Sequence, residues 1–124
     1  MSVSIKIINL DKFNETLKTA SYNVKKNVND GIKKSGFFIQ TEVQESIARH
    51  RAEPLSVDTG RFLNSVKATF PKQFVAVVGT DVDYAKYLEY GTSKIEARSH
   101  FRNTVAREEE KVKLYLLKEI KKDL

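Results

Sequence analysis

Val66-Lys67-Ala68-Thr69-Phe70-Pro71-Lys72-Gln73-Phe74-Val75-Ala76-Val77-Val78-Gly79 is the stretch that decides the fold class. Val66, Ala68 and Phe70 alternate with Lys67 and Thr69, the period of a half-buried strand. Pro71-Lys72-Gln73 makes a turn. Phe74 to Val78 is apolar and largely β-branched, and Gly79 ends it. The pair reads as a β-hairpin. Helical periodicity lies on both sides of it. The expected fold is therefore α+β, a long N-terminal helix and a C-terminal helix packed on a small antiparallel β-sheet.

Towards the N-terminus, Arg49-His50-Arg51-Ala52-Glu53-Pro54 reads as a polar loop, because Pro54 disfavours helix at Glu53. Asp58 is placed to cap a short turn, with Val57 and Phe62 as its hydrophobic staple. Before the loop, apolar residues recur at Leu10, Phe13, Leu17, Ala20, Val24, Val28, Ile32, Ile39, Val43 and Ile47. Most gaps are three or four residues, one face of a helix running to about Ala48. Asn9 is the expected cap, with Ile8 and Phe13 as staple and Asp11 in the first turn. Val3 to Ile8 alternates as a strand. A continuous helix of that span would be ~57 Å long, against a radius of gyration near ~14 Å for such a domain. The expectation is a break near Gly31 or Gly36, or a helix that projects and packs on a neighbouring chain.

Towards the C-terminus, Asp83 is placed to cap a short helix, Tyr84 to Tyr90, which Gly91 ends. Thr92 to Glu96 reads as loop. Ser99 then caps a helix from His100 to near the end, with Phe101, Val105, Val112, Leu116 and Ile120 as its stripe and Leu117 alongside. Lys113 can pair with Glu109 or Glu110.

The 124 residues suit one domain, 1–124, able to bury a core without staples. The absence of cysteine excludes a disulfide framework, a thiolate metal site and a cysteine nucleophile, and fits assembly in a reducing cytoplasm. Lys6 interrupts the short apolar start, so no signal peptide is expected. No run approaches the ~20 apolar residues of a membrane span, so the protein is expected to be soluble, with no membrane partner. A net charge of +6 admits nucleic acid or an acidic surface as partner. The lysines are nevertheless mixed with Glu and Asp along the chain, the pattern of solvated helix faces.

Catalytic signals are thin. Asp58-Thr59-Gly60 is the triplet of aspartic proteases, which need two such carboxylates sharing a proton. Here there is one triplet, its flanks read as helical, and Arg61 follows the Gly, so a capped turn is the better reading. His50 and His100 lack the spacing of a zinc hydrolase, and no nucleophile elbow or Gly-rich phosphate loop occurs. Glu108-Glu109-Glu110 reads as a solvated face. No catalytic residue, metal or cofactor is expected, and the chain is not expected to be an enzyme. Tyr84, Tyr87 and Tyr90 share a helix face near Lys86 and Lys94. Such tyrosines can stack nucleobases; their commoner use is packing on the sheet or on a partner subunit.

Two stretches carry a resemblance. One is Val57-Asp58-Thr59-Gly60-Arg61-Phe62-Leu63-Asn64-Ser65-Val66; the other runs from Val78-Gly79 through Tyr84-Ala85 and Glu89-Tyr90-Gly91-Thr92 to Ala97-Arg98. Together they resemble the tail-completion family of siphophages and related prophages, also labelled minor tail or neck proteins. In that family Pro and an aromatic follow Ala-Arg; here Ser99 and His100 do, with Phe101 next. Ser99 can start the helix by capping.

The resemblance implies a structural virion protein of the neck. It would form a ring, often a hexamer, between the head connector or adaptor and the tail-tube or tail-terminator protein, with at most passing contact with DNA in the channel. It implies assembly in the host cytoplasm and no cofactor. Docking is expected over residues 84–98, with Tyr84, Tyr87, Glu89, Tyr90, Gly91, Thr92, Arg98 and then Phe101 as interaction residues. Glu89 and Arg98 are expected to pair, within a subunit or across an interface. The alternative reading is a basic nucleic-acid-binding protein using its helices and tyrosines.

Overall fold

A computed structural model describes residues 3–9, 21–48, 60–94 and 96–121. The elements are β1 (Val3–Asn9), α1 (Tyr22–Ile47), α2 (Arg61–Ser65), β2 (Lys67–Thr69), β3 (Val75–Thr80), α3 (Ala85–Tyr90) and α4 (His100–Lys121). The expected α+β architecture holds: two long helices on a small antiparallel sheet. The strand order is β1-β3-β2, so β3 is central. It pairs with β1 from Val3↔Thr80 to Asn9↔Val75, with an irregularity between Lys6 and Ile8, and with β2 at Ala68↔Val78.

The hairpin forms as expected, though β3 runs past Gly79 to Thr80. Its turn closes on Phe74 with φ of 62°, a left-handed conformation uncommon outside glycine. The Phe74 ring is buried, and its amide donates to Asn29 Oδ1 at 3.0 Å, so helix α1 holds the turn from outside. Gln40 does the same for β2, its Oε1 accepting from Ala68 N at 2.7 Å, and Gln44 Nε2 donates to the Leu63 carbonyl of α2. Three amide side chains along one helix thus satisfy backbone groups of its neighbours.

Helix α1 begins at Tyr22 rather than just after Asn9. Asn9, the last residue of β1 and paired with Val75, is not the cap of α1, and the residues that directly follow it lie outside the described ones. The cap is Ser21, extended at φ −63°, ψ 159°, its Oγ accepting from Val24 N. Leu10, Asp11, Phe13 and Leu17 lie outside the described residues, and with Phe13 so does the staple it was expected to form with Ile8.

At 26 residues α1 spans about 39 Å, and its buried residues run from Val24 to Ile47, so the core covers its whole length. It does not break at either glycine. Gly31 faces Leu116 and Glu119 of α4, and Gly36 faces Phe70 and Ala76. These glycines let α4 and the sheet approach the helix closely. The overhang drawn from a ~57 Å helix is therefore not a feature of α1.

The core joins Val28, Ile32, Ile39, Val43 and Ile47 of α1 to Phe62, Val66, Ala76, Val78, Phe101, Val112 and Leu116. Gly60, left-handed at φ 80°, stands at the cap position just before α2; the Asp58 triplet's acid and His50 lie outside the described residues. On α4, Lys113 pairs with Glu109 at 3.2 Å. Among the described residues no helix is long and apolar enough to cross a membrane.

Helix α3 starts one residue later than expected, with Tyr84 rather than Asp83 at the cap position and no side-chain cap. It ends as expected at Gly91, with φ 76° and ψ 174°. That region is essentially glycine-only. Gly91→Ala is expected to destabilise the protein by about 1–3 kcal/mol, read as a shift in the urea midpoint with an unchanged slope.

Candidate functional site

The residues from α3 to the start of α4 form two layers with different roles. The inner layer is built on Glu89. Its side chain is 2% exposed, and its carboxylate reaches the N-terminus of α4. Oε1 accepts from Phe101 N at 2.9 Å, and Oε2 accepts from Arg102 N and Arg102 Nε, both at 3.0 Å. The first amides of a helix have no intrahelical acceptor, and a carboxylate there also suits the helix dipole. Glu89 is thus the cap of α4, supplied from another helix.

Ser99 stands just before α4 but spends its hydroxyl otherwise. It donates to the Glu89 carbonyl at 2.7 Å and accepts from Arg102 Nη2 at 2.8 Å. Arg102 Nη2 also donates to the Glu89 carbonyl, at 2.7 Å. The guanidinium paired with Glu89 is therefore that of Arg102, not Arg98. Arg98 contributes backbone, its amide donating to the Leu88 carbonyl and its carbonyl accepting from His100 N. It is half-buried.

His100 and Phe101 also lie in the inner layer. Both are buried at 1% exposure, and both rings lie against Phe62. His100 Nδ1 is 2.7 Å from Ser46 Oγ. A serine and a histidine do meet here, but both are sealed in the core, where no substrate reaches them. The pair joins α4 to α1.

The outer layer is the tyrosine face. Tyr84, Tyr87 and Tyr90 are 39%, 46% and 62% exposed. Tyr84 lies edge-on to Phe62 at 6.0 Å between ring centroids. The Lys86 ammonium sits 5.0 Å from the Tyr87 ring and the Arg102 guanidinium 4.4 Å from the Tyr90 ring. Both are cation–π distances. Gly91 and Thr92 continue this surface, Thr92 exposed with its Oγ1 accepting from Lys94 N.

The expected interaction set thus divides. Tyr84, Tyr87, Tyr90, Gly91 and Thr92 are presented outward, while Glu89 and Phe101 lie inside the subunit. Arg102, absent from the expected set, is the hinge between the layers, held by Glu89 beneath and stacked on Tyr90 above. No local pattern marks Arg102, because its partner Glu89 lies 13 residues earlier in the chain. Among the described residues no group of acids, histidines or cysteines could hold a metal.

Residues 11–91 match a family model, the HK97-gp10-like family, whose description reads "Bacteriophage HK97-gp10, putative tail-component". The match takes in α1, the hairpin and α3, and it ends at the glycine that closes the tyrosine helix. The chain belongs to this family of phage tail components, with a structural role in the tail of the virion. No curated protein and no solved structure matches the chain.

Proposed function

We propose that the chain forms a ring, a hexamer by resemblance, at the neck of the particle, where it joins the head connector or adaptor to the tail-tube or tail-terminator protein. Membership of a tail-component family supports the tail role. The observation that carries the joining role is the tyrosine face. Three aromatic rings stand outward on a helix whose other side is pinned to α4 through Glu89. Exposed tyrosines on a rigid base supply large contact area at low entropic cost, as interface hot spots do. Nothing in this reading calls for catalysis or a cofactor. Assembly takes place in the host cytoplasm.

Tyr90→Ala and Arg98→Ala test it. Neither change removes a fully buried side chain. Both proteins should melt near the wild-type temperature, while heads and tails accumulate unjoined. Normal joining by both variants places the docking surface elsewhere. Cryo-microscopy of particles tests the ring, and one copy per particle rules it out.

A second reading, nucleic-acid binding, draws on the net charge of +6 and on Lys86 and Arg102 beside the tyrosines. Those cations occupy the faces of two of the rings that bases would stack on, which favours a protein partner, with DNA touched only in passing in the channel. Binding to duplex or single-stranded DNA that weakens steeply with salt would reverse that preference.

A further inference from the structure

Helices α1 and α4 meet closely at Gly31. Further along the same pair of helices lies a cavity of about 240 Å³, lined by Lys34, Ser35, Phe38, Lys111, Val112 and Tyr115. Its chemistry is specific. The walls are mostly apolar, and two lysines stand exposed at its edge, the Lys111 ammonium 4.9 Å from the Phe38 ring. Ser35 is 3% exposed, and its Oγ has no hydrogen-bond partner among the described residues. A buried hydroxyl without a partner is less stable than one that is satisfied. The cavity is large enough for an aromatic ring, since one of ~150 Å³ takes benzene. An occupant suited to it has an aromatic body, a polar tip that reaches Ser35, and negative charge beside it for the lysines.

The chain itself carries such a group. Tyr84 is an exposed aromatic with a hydroxyl at its tip, and Asp81 stands exposed on the turn that leads to it. Tyr87 and Tyr90 fit less well, because Lys86 and Arg102 would bring positive charge to a lysine edge. Tyr84 does not reach the cavity of its own subunit. It packs by Phe62, whose ring lies against Phe101 at the start of α4, and Lys111 is about 15 Å further along that helix.

We propose that Tyr84 of one copy enters the Ser35 cavity of a second copy, with Asp81 facing Lys34 or Lys111. The inference rests on the ring reading above and gives that ring its subunit contact. Knob and hole lie on different parts of the surface, so the contact is head-to-tail, the kind that generates a ring when its rotation closes. Tyr87 and Tyr90 are then left for the proteins above and below.

The test uses thiol cross-linking, for which the absence of cysteine makes the chain a clean background. Three variants are prepared, Asp81→Cys, Lys111→Cys and the double variant, all changes at exposed positions. A short bismaleimide is applied to the purified proteins and to particles that contain them. The double variant is expected to give a ladder of dimers, trimers and higher species. The two single variants should give a dimer when mixed and essentially none apart. Adding Tyr84→Ala to the double variant should cut the ladder at least tenfold while melting stays near that of its parent. Particles that hold several copies around the axis but yield no ladder overturn this contact and leave the ring standing. A ladder unchanged by Tyr84→Ala overturns the knob. One copy per particle without any ladder removes both the contact and the ring.

Discussion

Glu89→Gln is expected to lower the stability of the protein by about 3 kcal/mol, a fall of roughly 10 °C in melting temperature. The carboxylate accepts from two backbone amides at the start of α4 and from the Arg102 guanidinium, at 2.9 to 3.0 Å. Bonds to a charged acceptor contribute about 1.5–3 kcal/mol each. A glutamine of the same shape keeps one acceptor and turns an N–H donor towards donors. The Arg102 charge then loses its partner, although half of that side chain is in water, which moderates the loss. Thermal unfolding followed by circular dichroism gives the size of the effect. Hydrogen exchange at Phe101 and Arg102 gives its place, since those two amides should lose protection first. A variant that melts with the wild type would mean that α4 is held by its core face alone.

Phe101→Ala is expected to cost about 3–5 kcal/mol, a large share of the ~5–15 kcal/mol that stabilises a domain of this kind. The ring is 1% exposed, packed at 6.5 Å from Phe62, and belongs to the core cluster with Ile47 and Val66. Chemical denaturation should show a much lower midpoint. Any failure of heads and tails to join in this variant should be accompanied by loss of soluble, folded protein. That outcome separates Phe101 from Tyr90, where joining is expected to fail in a folded chain. Wild-type stability for Phe101→Ala would contradict the packing described.

Local patterns made the hairpin and the glycine stop legible. The alternation from Val66 to Phe70 and the apolar run from Phe74 each report on neighbours close in sequence, and Gly91 marks a backbone turn that few other residues make. The start of α1 was not legible in the same way. Leu17, Ala20 and Val24 keep a helical period straight through Ser21, so periodicity alone cannot show that the helix at Tyr22 begins there. Glu89 was misread because a glutamate between two exposed tyrosines looks like a surface residue, and its role depends on a helix that starts eleven residues later. The Ser46–His100 contact joins residues far apart in sequence and leaves no pattern at all. Ser35 did leave a trace. The apolar stripe of α1 skips from Ile32 to Ile39, and the serine sits in the gap, on the face that turns inward. A polar residue at a core position was the available sign that something there is unfinished.

The strand order has a consequence for how the molecule is made. β3 is central because β1, from the far end of the sequence, lies along one side of it. The hairpin with β2 closes over a few residues and α1 lies just upstream, so both can form early, whereas pairing Val3 with Thr80 must close a long loop, with its larger entropic cost. Until β1 arrives, one side of β3 offers unpaired amides and carbonyls to any extended chain nearby. The amino-terminal strand is therefore the seal on the sheet. In a cell filling with many copies of the same chain, the interval before it seats is when strands could be exchanged between copies.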